Sequence, residues 1–363
     1  MDQTKYLPLV SIVVVTLNRS DLLRHCLESI AKQNYKNIDP IVVDNGSIED
    51  IKHCVQNVLP EARYIRLETN LGFAEGNNQG IRLAKGDYIA LLNNDAIAEP
   101  EWLSAMVRLA EQDRRLGALA TVVIDGNNTD ILDSCGVGVA LDGMSRQMMH
   151  GMPVPRITSP REVPAVSGCA CMFRSEALKQ VGLFDSTFFA YCEDTDLSLR
   201  LRRAGWTIEL APEARVKHNR SSTSGVFSKK KVFWIERNHF WVALKNFPIL
   251  LLMLLPLMTA WRYMVQIYLW SHNDSELGSY AKASGYWSMI SIIIRAHISI
   301  LLQTPRILAK RFQTRGTTIA RNTDILKMLW RYRLSMLEVL GARSAVFPSR
   351  RNRRLCSTRG PEK

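Results

Sequence analysis

Four short apolar runs alternate with helical patterns over residues 1–95. Each run is bounded by polar or turn-forming residues, as expected of buried strands. After the first run, Ser20 is a predicted N-cap, and apolar residues then recur at helical spacing. Strands that alternate with helices of this length predict βαβ units and a mainly parallel sheet. The predicted strands are "VSIVVVTL", "DPIVVD", "ARYIRLE" and "DYIALLN".

Polar side chains follow three of the predicted strands at the point where each strand ends. Thr16 and Asn18 follow the first strand, Asp44 and Asn45 the second, and the run "NNDA" the fourth. The carboxyl ends of parallel strands meet at one edge of a sheet, and ligands bind there. Asn and Asp are also common in turns, so each cluster alone is equally typical of a strand exit. Three clusters at one edge favour a ligand site.

The chain lacks the glycine-rich loops that bind phosphates through backbone amides. The first predicted strand is followed by "NRSDLL", and neither G-x-G-x-x-G nor G-x-x-x-x-G-K-[ST] occurs. A phosphate ligand at this edge therefore needs another source of positive charge. A divalent cation held by a carboxylate is one such source, and Asp95 is placed to hold it.

A second polar cluster contains three carboxylates within four residues, in "FFAYCEDTDLSLRLRRAGW". Glu193, Asp194 and Asp196 begin a helical pattern of leucines, and Gly205 is the predicted residue after its C-cap. Acidic residues in a first helical turn are common, because they interact favourably with the helix dipole. Their density, directly after an aromatic run, favours a lined site.

Seven motifs follow one another along the chain: "VVVTLNR", "VVDNGS", "NLGFAEGNNQGI", "YIALLNNDA", "GCACMFRSEAL", "GLFDSTFFAYCEDTDLSLRLRRAG" and "VKHNRSST". The set resembles that of bacterial members of glycosyltransferase family 2, and is most similar to the rhamnosyltransferase-like branch that builds cell-surface polysaccharides. The similarity covers about residues 8–245. It implies a GT-A fold, which is an α/β fold with a mixed, mainly parallel sheet flanked by helices. It also implies a nucleotide-sugar donor, a divalent metal and inversion at the anomeric carbon.

The resemblance assigns donor-binding roles to residues near the predicted sheet edge. Asp44 matches the carboxylate that contacts the nucleoside, and Thr16 matches the strand-end residue beside it. Arg237 lies in "WIERN", where processive synthases of the family carry Q-x-x-R-W, and it is predicted to bind the diphosphate. The Gln and Trp of that motif are missing, which disfavours a polymer-extruding synthase. The other predicted donor-binding residues are Asn18, Asn78, Asn93 and Asn94.

The D-x-D metal motif of the family falls on residues 93–95, where Asn93 replaces the first carboxylate. One fewer charge weakens metal binding unless another ligand contributes. His218 in "VKHNRSST" matches a histidine that supplies such a ligand in relatives. Asp95 and His218 are therefore the predicted metal ligands. An imidazole beside oxygen ligands favours Mn²⁺, with Mg²⁺ as the alternative.

Asp194 matches the general base of the family. Such a base accepts the proton of the acceptor hydroxyl, on the face opposite the leaving diphosphate. A single displacement then inverts the anomeric centre, through an oxocarbenium-like state. Glu193 is the second predicted catalytic residue and orients either the acceptor or the base. The sequence leaves open which of the two carboxylates takes the proton.

The C-terminal third combines long apolar runs with positive charge. Residues 247–270 contain one charge, Arg262, over about 35 Å of predicted helix, which is enough to span a bilayer. A second run, "GYWSMISIIIRAHISILL", is interrupted by Arg295 and His297. Residues 221–363 carry a net charge of +17, against −4 for residues 1–220. These interruptions and this charge favour helices that lie in the membrane interface over spanning helices.

Length and composition are those of a globular chain of 363 residues, 47% of them apolar. Seven cysteines, without a C-x-x-C pair, indicate a reducing compartment. We therefore expect the catalytic domain on the cytoplasmic face of the bacterial inner membrane, where nucleotide sugars are made. The predicted parts are a GT-A catalytic domain (1–225), a connecting helix (226–246), a membrane-associated helical region (247–345) and a basic disordered tail (346–363).

Together these patterns predict an inverting, metal-dependent glycosyltransferase that moves rhamnose from dTDP-rhamnose to a lipid-linked or cell-surface glycan. A UDP-hexose or galactofuranose donor would use the same machinery. The amide at Asn93 also leaves open a catalytically silent nucleotide-sugar-binding scaffold. The predicted partners are the donor, the lipid-linked acceptor and the membrane surface. Nucleic acid is not one of them, because the basic residues alternate with apolar runs that need burial.

Overall fold

The computed structural model of the chain describes residues 7–154, 159–219, 228–272 and 285–341. Within these ranges the chain forms a mixed sheet with helices on both faces, followed by further helices. The mixed, mainly parallel sheet that the sequence predicts is confirmed. The predicted basic tail, Cys356 and the end of the "VKHNRSST" motif lie outside the described residues. No disulfide joins the six cysteines inside them.

The strands include the four that the sequence predicts, which are β1 to β4. The described strands are β1 (Val10–Thr16), β2 (Ile38–Asp44), β3 (Arg63–Arg66), β4 (Tyr88–Leu92), β5 (Ala96–Ala98), β6 (Leu116–Asp125), β7 (Leu132–Ser134), β8 (Val137–Val139), β9 (Ser145–Gln147), β10 (Arg161–Glu162), β11 (Ala170–Arg174) and β12 (Thr207–His218).

The helices fall into two groups, six that belong to the sheet domain and five that follow it in the described residues. The first six are α1 (Ser20–Ala31), α2 (Ile51–Val58), α3 (Gly72–Leu83), α4 (Trp102–Gln112), α5 (Ser175–Val181) and α6 (Glu193–Arg203). The others are α7 (Lys229–Asn246), α8 (Ile249–Ser271), α9 (Tyr286–Gln313), α10 (Asn322–Tyr332) and α11 (Met336–Leu340). Short 3₁₀ turns occupy Ser186–Phe188 and Thr314–Thr317.

The order of the strands brings several chain segments to one edge of the sheet. The main path is β10-β12-β6-β11-β4-β1-β2-β3. Strands β1 to β4 are parallel, β12 is parallel to β6, and β11 runs antiparallel between β4 and β6. The carboxyl ends of β1, β2, β4, β6 and β12 therefore share an edge with the residues that precede β11.

Strand β1 shows why the apolar runs are strands of the sheet interior. Val10, Ile12 and Val14 pack into the core on one face of the sheet, whereas Val13 packs with Ile41 into the core on the other face. All five side chains are at most 1% exposed. A strand covered on both faces reads as a continuous β-branched run, as the sequence predicts.

The start of α1 differs from the prediction. Ser20 is its first residue, and the preceding Arg19 adopts a left-handed conformation at φ 58°. The carboxylate of Glu49 accepts hydrogen bonds from the backbone N–H groups of Arg19 at 2.9 Å and Ser20 at 2.8 Å. This cap comes from the loop after β2, so the prediction of Ser20 as the N-cap was wrong because the capping group is distant in sequence.

Helix α8 has one face against the rest of the protein and an apolar face that is exposed. The buried face consists of Leu251, Leu255, Thr259, Arg262, Gln266 and Leu269. The exposed face includes Ile249, Leu250, Met253, Leu254, Leu257, Trp261, Met264, Ile267 and Tyr268. By length and composition, Ile249–Ser271 and Tyr286–Thr317 are each able to cross a membrane, and only 28% and 22% of their most apolar 18-residue stretches is buried inside the protein.

Arg262, the one charged residue of α8, is buried in an ionic cluster. Its guanidinium donates to both carboxylate oxygens of Glu236 on α7, at 2.8 and 2.9 Å, and its Nε lies 3.0 Å from Asp142 Oδ2. Burial alone would raise the pKa of Glu236, but Arg262 outweighs burial and lowers it to about 2. The stability from this pair is therefore present above the ordinary pKa of Glu and is lost as the pH falls towards 2.

We predict that Arg262→Met destabilises the protein by about 3–5 kcal/mol, because Glu236 and Asp142 remain buried without their cation. The measurement is urea unfolding in a mild detergent at neutral pH. Arg295→Met on α9 is the matched control, because Arg295 is exposed, and it should change stability by less than about 0.5 kcal/mol. Equal losses in the two variants would contradict the assignment.

Candidate functional site

A cleft of about 600 Å³ opens at the shared edge of the sheet, a volume typical of ligand sites. It is lined by ends of strands, by the start of α6 and by the start of α7. The predicted site residues that line it are Thr16, Asn93, Asn94, Asp95, Glu193, Asp194 and His218. The residues at the strand ends and the two carboxylates at the start of α6 therefore line the same cleft.

The stretch after β4 is fixed to the neighbouring strands. Asn94 Nδ2 donates to Thr16 Oγ1 at 2.9 Å, and that hydroxyl donates to the carbonyl of Asn18, also at 2.9 Å. The backbone N–H of Asn93 donates to the carbonyl of Cys169, just before β11, at 2.8 Å. These bonds hold the side chains of residues 93–95 at the floor of the cleft.

His218 is held between two carboxylates at the end of β12. Its Nε2 lies 3.2 Å from Asp95 Oδ1, and its Nδ1 lies 2.6 Å from Asp133 Oδ2. Burial lowers the pKa of His218, but Cys169, Asp133 and Asp95 outweigh burial and raise it well above its ordinary value. The site thus favours positive charge between Asp95 and His218.

These residues fit a divalent cation. In the described part of the chain, no three His, Cys, Asp or Glu side chains form a preformed metal site. Asp95 and His218 supply one oxygen and one nitrogen donor towards the cleft, and the diphosphate of a donor would supply further oxygens. Asp133 on the opposite ring nitrogen is the arrangement that orients a metal-binding histidine.

Asp194 and Glu193 lie at the start of α6 but have different surroundings. The carboxylate of Asp194 accepts the backbone N–H of Gly168 at 3.0 Å and that of Thr195 at 2.6 Å. Glu193 Oε2 is buried and has no hydrogen-bond partner among the residues that the structure describes. Asp196, the third carboxylate of the cluster, instead binds Arg200 in the core, at 2.9 Å, and has a structural role.

The two carboxyl groups therefore differ in the form that each favours. Burial raises the pKa of Asp194, while the N–H groups of Gly168 and Thr195 oppose this rise. Burial and the charge of Asp194 raise the pKa of Glu193 well above its ordinary value. The two N–H donors stabilise the carboxylate of Asp194, so Asp194 ionises more readily than Glu193, an order that assigns the base and the acid in paired carboxyl sites.

The aromatic run before α6 forms one wall of the cleft in a strained backbone. Phe189, Tyr191 and Cys192 have φ angles of 65°, 70° and 69°, a region that costs energy for side chains other than glycine. Phe189 stacks on Trp234 of α7, with ring centroids 4.9 Å apart. Gly72 has φ +83°, and a Cβ there would lie 2.5 Å from the carbonyl oxygen of Phe189.

Two lysines at the start of α7 are site residues that sequence reasoning missed. Lys230 and Lys231 line the cleft, beside Ser228, whose hydroxyl accepts the backbone N–H of Lys231 at 3.2 Å. The Nζ of Lys231 lies 5.4 Å from the ring centre of Tyr191. The run "SKKK" soon after the histidine motif was the available signal.

Four further lining residues were also missed, because only the fold brings them to the cleft. They are Asp133, Gln147, Ser167 and Cys169. Asp133 lies 85 residues before His218, its hydrogen-bond partner. Gln147 Nε2 donates to Ser167 Oγ at 3.2 Å, which joins the β9 strand to the loop before β11.

Asp44 and Asn18 lie next to the cleft but do not line it. Asp44 is fully buried, and its carboxylate accepts hydrogen bonds from Tyr64 and Arg66. The Asn18 side chain accepts the backbone N–H of Ile48 at 2.8 Å. Both residues shape the loops around the β1 and β2 ends, and Asn45 is the neighbour of Asp44 that reaches the cleft.

Asn78 and Arg237 are not brought to the cleft. Asn78 is buried, and its side chain exchanges two hydrogen bonds with the backbone of Phe184, at 2.9 and 3.0 Å. Arg237 donates to the carbonyl of Phe188 at 3.2 Å, and its guanidinium lies 4.1 Å from the ring centre of Trp241. In this arrangement Arg237 supports the aromatic wall, and Asn78 holds the backbone of the segment before it.

Comparison with curated proteins finds several bacterial relatives. N-acetylglucosaminyl-diphospho-decaprenol L-rhamnosyltransferase of Mycobacterium tuberculosis is 26% identical over 240 residues, 59% of this chain and 77% of that protein. O-antigen biosynthesis protein RfbC of Myxococcus xanthus is 26% identical over 227 residues, 60% of this chain. The chain spans only 18% of RfbC, and 25% of an uncharacterized relative from Sinorhizobium fredii.

Two solved structures share the architecture. GalNAc-T7 with UDP, GalNAc and Mn²⁺ has a TM-score of 0.53 at 20% identity, covering 66% of this chain and 48% of that one. Mannosyltransferase PcManGT from Pyrobaculum calidifontis, in complex with GDP-Man and Mn²⁺, has a TM-score of 0.51 at 17% identity, covering 90% and 88%. At these identities the likeness concerns the fold, and it confirms the predicted GT-A class.

The sequence of the sheet domain also matches a family model. The model of glycosyl transferase family 2 matches residues 11–182, which extend from β1 to α5 and include the strand ends that form the floor of the cleft. For residues 11–182, the predicted glycosyl transferase family 2 domain is confirmed, and its fold is of the GT-A class.

Proposed function

We propose that the chain is an inverting, metal-dependent glycosyltransferase that moves rhamnose from dTDP-rhamnose to a lipid-linked glycan. The observation that carries this proposal is the meeting of Asp95 and His218 with Asp194 in one cleft of a family 2 domain. Asp95 and His218 supply ligand atoms for a cation, and Asp194 supplies a base. In the proposed reaction the cation stabilises the leaving diphosphate and the base accepts the hydroxyl proton.

The donor would bind along the floor of the cleft. Thr16, Asn93 and Asn94 provide polar groups beside the cation site, and Lys230 and Lys231 provide positive charge from the start of α7. Lysine ammonium groups bind phosphate oxygens as point charges. We assign the contact with the diphosphate to these lysines instead of Arg237, because Arg237 is not among the residues that line the cleft.

Asp95 and His218 would hold the divalent cation, Mn²⁺ or Mg²⁺. Both solved neighbours were crystallised with Mn²⁺, and an imidazole ligand favours Mn²⁺. When bound, the cation stabilises the negative charge that grows on the leaving diphosphate. His218 compensates for the missing carboxylate at Asn93, and Asp133 holds the imidazole with Nε2 towards Asp95.

Asp194 would act as the general base, and Glu193 would stay protonated beside it. The acceptor oxygen forms a bond to the anomeric carbon while the bond from that carbon to the diphosphate oxygen breaks. The hydroxyl proton passes to Asp194, and the electron pair leaves with the nucleoside diphosphate. The N–H groups of Gly168 and Thr195 hold the Asp194 carboxylate in place for this step.

The choice of rhamnose and of a lipid-linked acceptor is supported by the mycobacterial relative, whose name specifies both a rhamnosyl donor and a decaprenol-linked acceptor. Exposed apolar faces on α8 and α9 support a membrane location. Since Arg262 fixes α8 to Asp142 of the β8–β9 hairpin, we propose that these helices lie in the interface on the cytoplasmic side instead of spanning the bilayer.

Replacement of each carboxylate by its amide tests which of the two residues is the base. Asp194→Asn should lower turnover by about 10²–10⁴-fold, with nucleotide binding retained. The Glu193→Gln variant should retain most of the turnover, and its turnover should still fall at low pH. Because the base must be ionised and burial raises the pKa of Asp194, activity should fall as the pH drops through a pKa above the ordinary value for Asp. Collapse in Glu193→Gln alone would assign the base to Glu193.

Asp133→Asn tests the metal site through an indirect contact. Loss of the carboxylate on His218 Nδ1 should weaken Mn²⁺ binding about 10–100-fold. The measurement is the electron paramagnetic resonance signal of free Mn²⁺, titrated in the presence of dTDP. Asp130→Asn is the control, since Asp130 is exposed in the same segment and should leave Mn²⁺ affinity unchanged. Equal affinity in both variants would remove His218 from the metal site.

Gly72→Ala tests the aromatic wall. The new Cβ would meet the backbone of Phe189, so we predict displacement of the strained loop and a fall in turnover of at least about ten-fold, roughly 1.4 kcal/mol in the barrier. Gly151→Ala is the matched control, because Gly151 also has positive φ, +74°, but nothing lies within 4 Å of its Cβ position. Activity is measured relative to the fraction that remains folded, and equal activity in both variants would contradict this role.

A further inference from the structure

A second cavity lies away from the catalytic cleft, between α8, the β8–β9 hairpin and the chain around α11. It has a volume of about 400 Å³ and is lined mainly by apolar side chains. The residues of this cavity, here called the apolar groove, are Ala140, Leu141, Asp142, Leu254, Leu257, Met258, Trp261, Arg333, Leu334 and Met336.

The apolar groove is continuous with the exposed face of α8. Leu254, Leu257 and Trp261 line the groove and are also 39%, 69% and 56% exposed. Apolar residues exposed together on one helix indicate an interaction site. If this face lies against the bilayer, as proposed above, the groove opens directly towards lipid.

The apolar groove also has a cationic group. Arg333 lines it, with its guanidinium 3.5 Å from the ring centre of Trp330. The one lining carboxylate, Asp142, is buried and lies 3.0 Å from Arg262, so its charge is compensated. An apolar chain that ends in a phosphate matches this combination of surfaces.

The β8–β9 hairpin connects the apolar groove to the catalytic cleft. Ala140, Leu141 and Asp142, at its turn, line the groove, whereas Gln147, at the end of β9, lines the cleft. From Ser145, at the start of β9, to Gln147 the strand rises about 7 Å. One rigid element thus borders both cavities.

We infer that the apolar groove binds the hydrocarbon chain of a phosphate-bearing lipid, with Arg333 beside the phosphate, so that the attached sugar reaches the catalytic cleft. This inference rests on the proposed function and adds the site that selects a lipid-linked acceptor. It explains why Leu257 is exposed on the side of α8 that faces the groove, and why Arg333 lies at an otherwise apolar site.

A photoreactive probe tests the apolar groove without knowledge of the natural acceptor. The full chain in detergent is irradiated with a benzophenone-bearing C15 prenyl diphosphate, and the labelled peptides are mapped by mass spectrometry. We expect labels around Leu254, Leu257 and Leu334, displaced by an excess of unlabelled prenyl diphosphate. Labels spread along α8 without competition would mean adsorption of lipid on the surface and would overturn the inference, as would an absence of labels.

Two variants on the same face of α8 give a matched comparison. Leu257→Glu introduces a charge into the apolar groove and should lower competed labelling about ten-fold or more. Met253→Glu adds the same charge one turn away, at a side chain that is 72% exposed and outside the groove lining, and should leave labelling within about two-fold, a small free-energy change. Equal loss in both variants would overturn the inference.

The role of Arg333 and the dependence on the proposed function need separate readouts. Arg333→Gln should weaken labelling by the diphosphate probe but not by a neutral prenol probe of equal length; equal effects would exclude a phosphate contact.

Binding of dTDP with Mn²⁺ is measured in the same samples. Nucleotide binding without groove labelling would refute the groove alone, whereas groove labelling without nucleotide binding would support the groove and refute the proposed function.

Discussion

The arrangement of the cleft depends on the register of β12. In this register His218 pairs with Ala96 of β5 and with Asp125 of β6, which brings its imidazole beside Asp95, the residue before β5. The insertion of antiparallel β11 between β4 and β6 has a similar effect, because the chain enters β11 at the same edge. Gly168, just before β11, there meets Asp194. Pairing of strands therefore assembles a site whose members are distant in sequence.

Ion pairs join the helices after the sheet to α6 and to the segment before it. Lys245 of α7 lies 2.7 Å from Asp185 and 2.9 Å from Asp196 of α6, and Lys310 of α9 also contacts Asp185. The chain from Asp185 leads directly into the strained aromatic wall and α6. Packing of α7 and α9 thus stabilises a backbone conformation that isolated loops would not retain. The same ion pairs therefore connect the helices of the proposed membrane contact with the segment that carries the proposed base.

Sequence patterns predicted the strands, the sheet edge and the placement of Asp95, Asp194 and His218, because period, turn residues and ordered motifs are local signals. They did not reveal that Glu49 caps α1, since that carboxylate comes from another loop. The prediction for Arg237 rested on its place in a motif, whereas the direction of α7 turns that side chain towards the aromatic wall. Contacts between distant segments, such as Asp133 with His218, require the three-dimensional fold.

We propose that this edge of the sheet binds a nucleoside diphosphate together with a divalent cation. A calorimetric titration of the detergent-solubilised protein with dTDP, UDP and GDP, each with and without Mn²⁺, tests this binding. We expect binding that requires Mn²⁺ and is tightest for dTDP. A preference for UDP would keep the cleft but replace the proposed donor. Failure to bind any of the three nucleotides, or equal binding without Mn²⁺, would exclude a metal-dependent donor site at this edge.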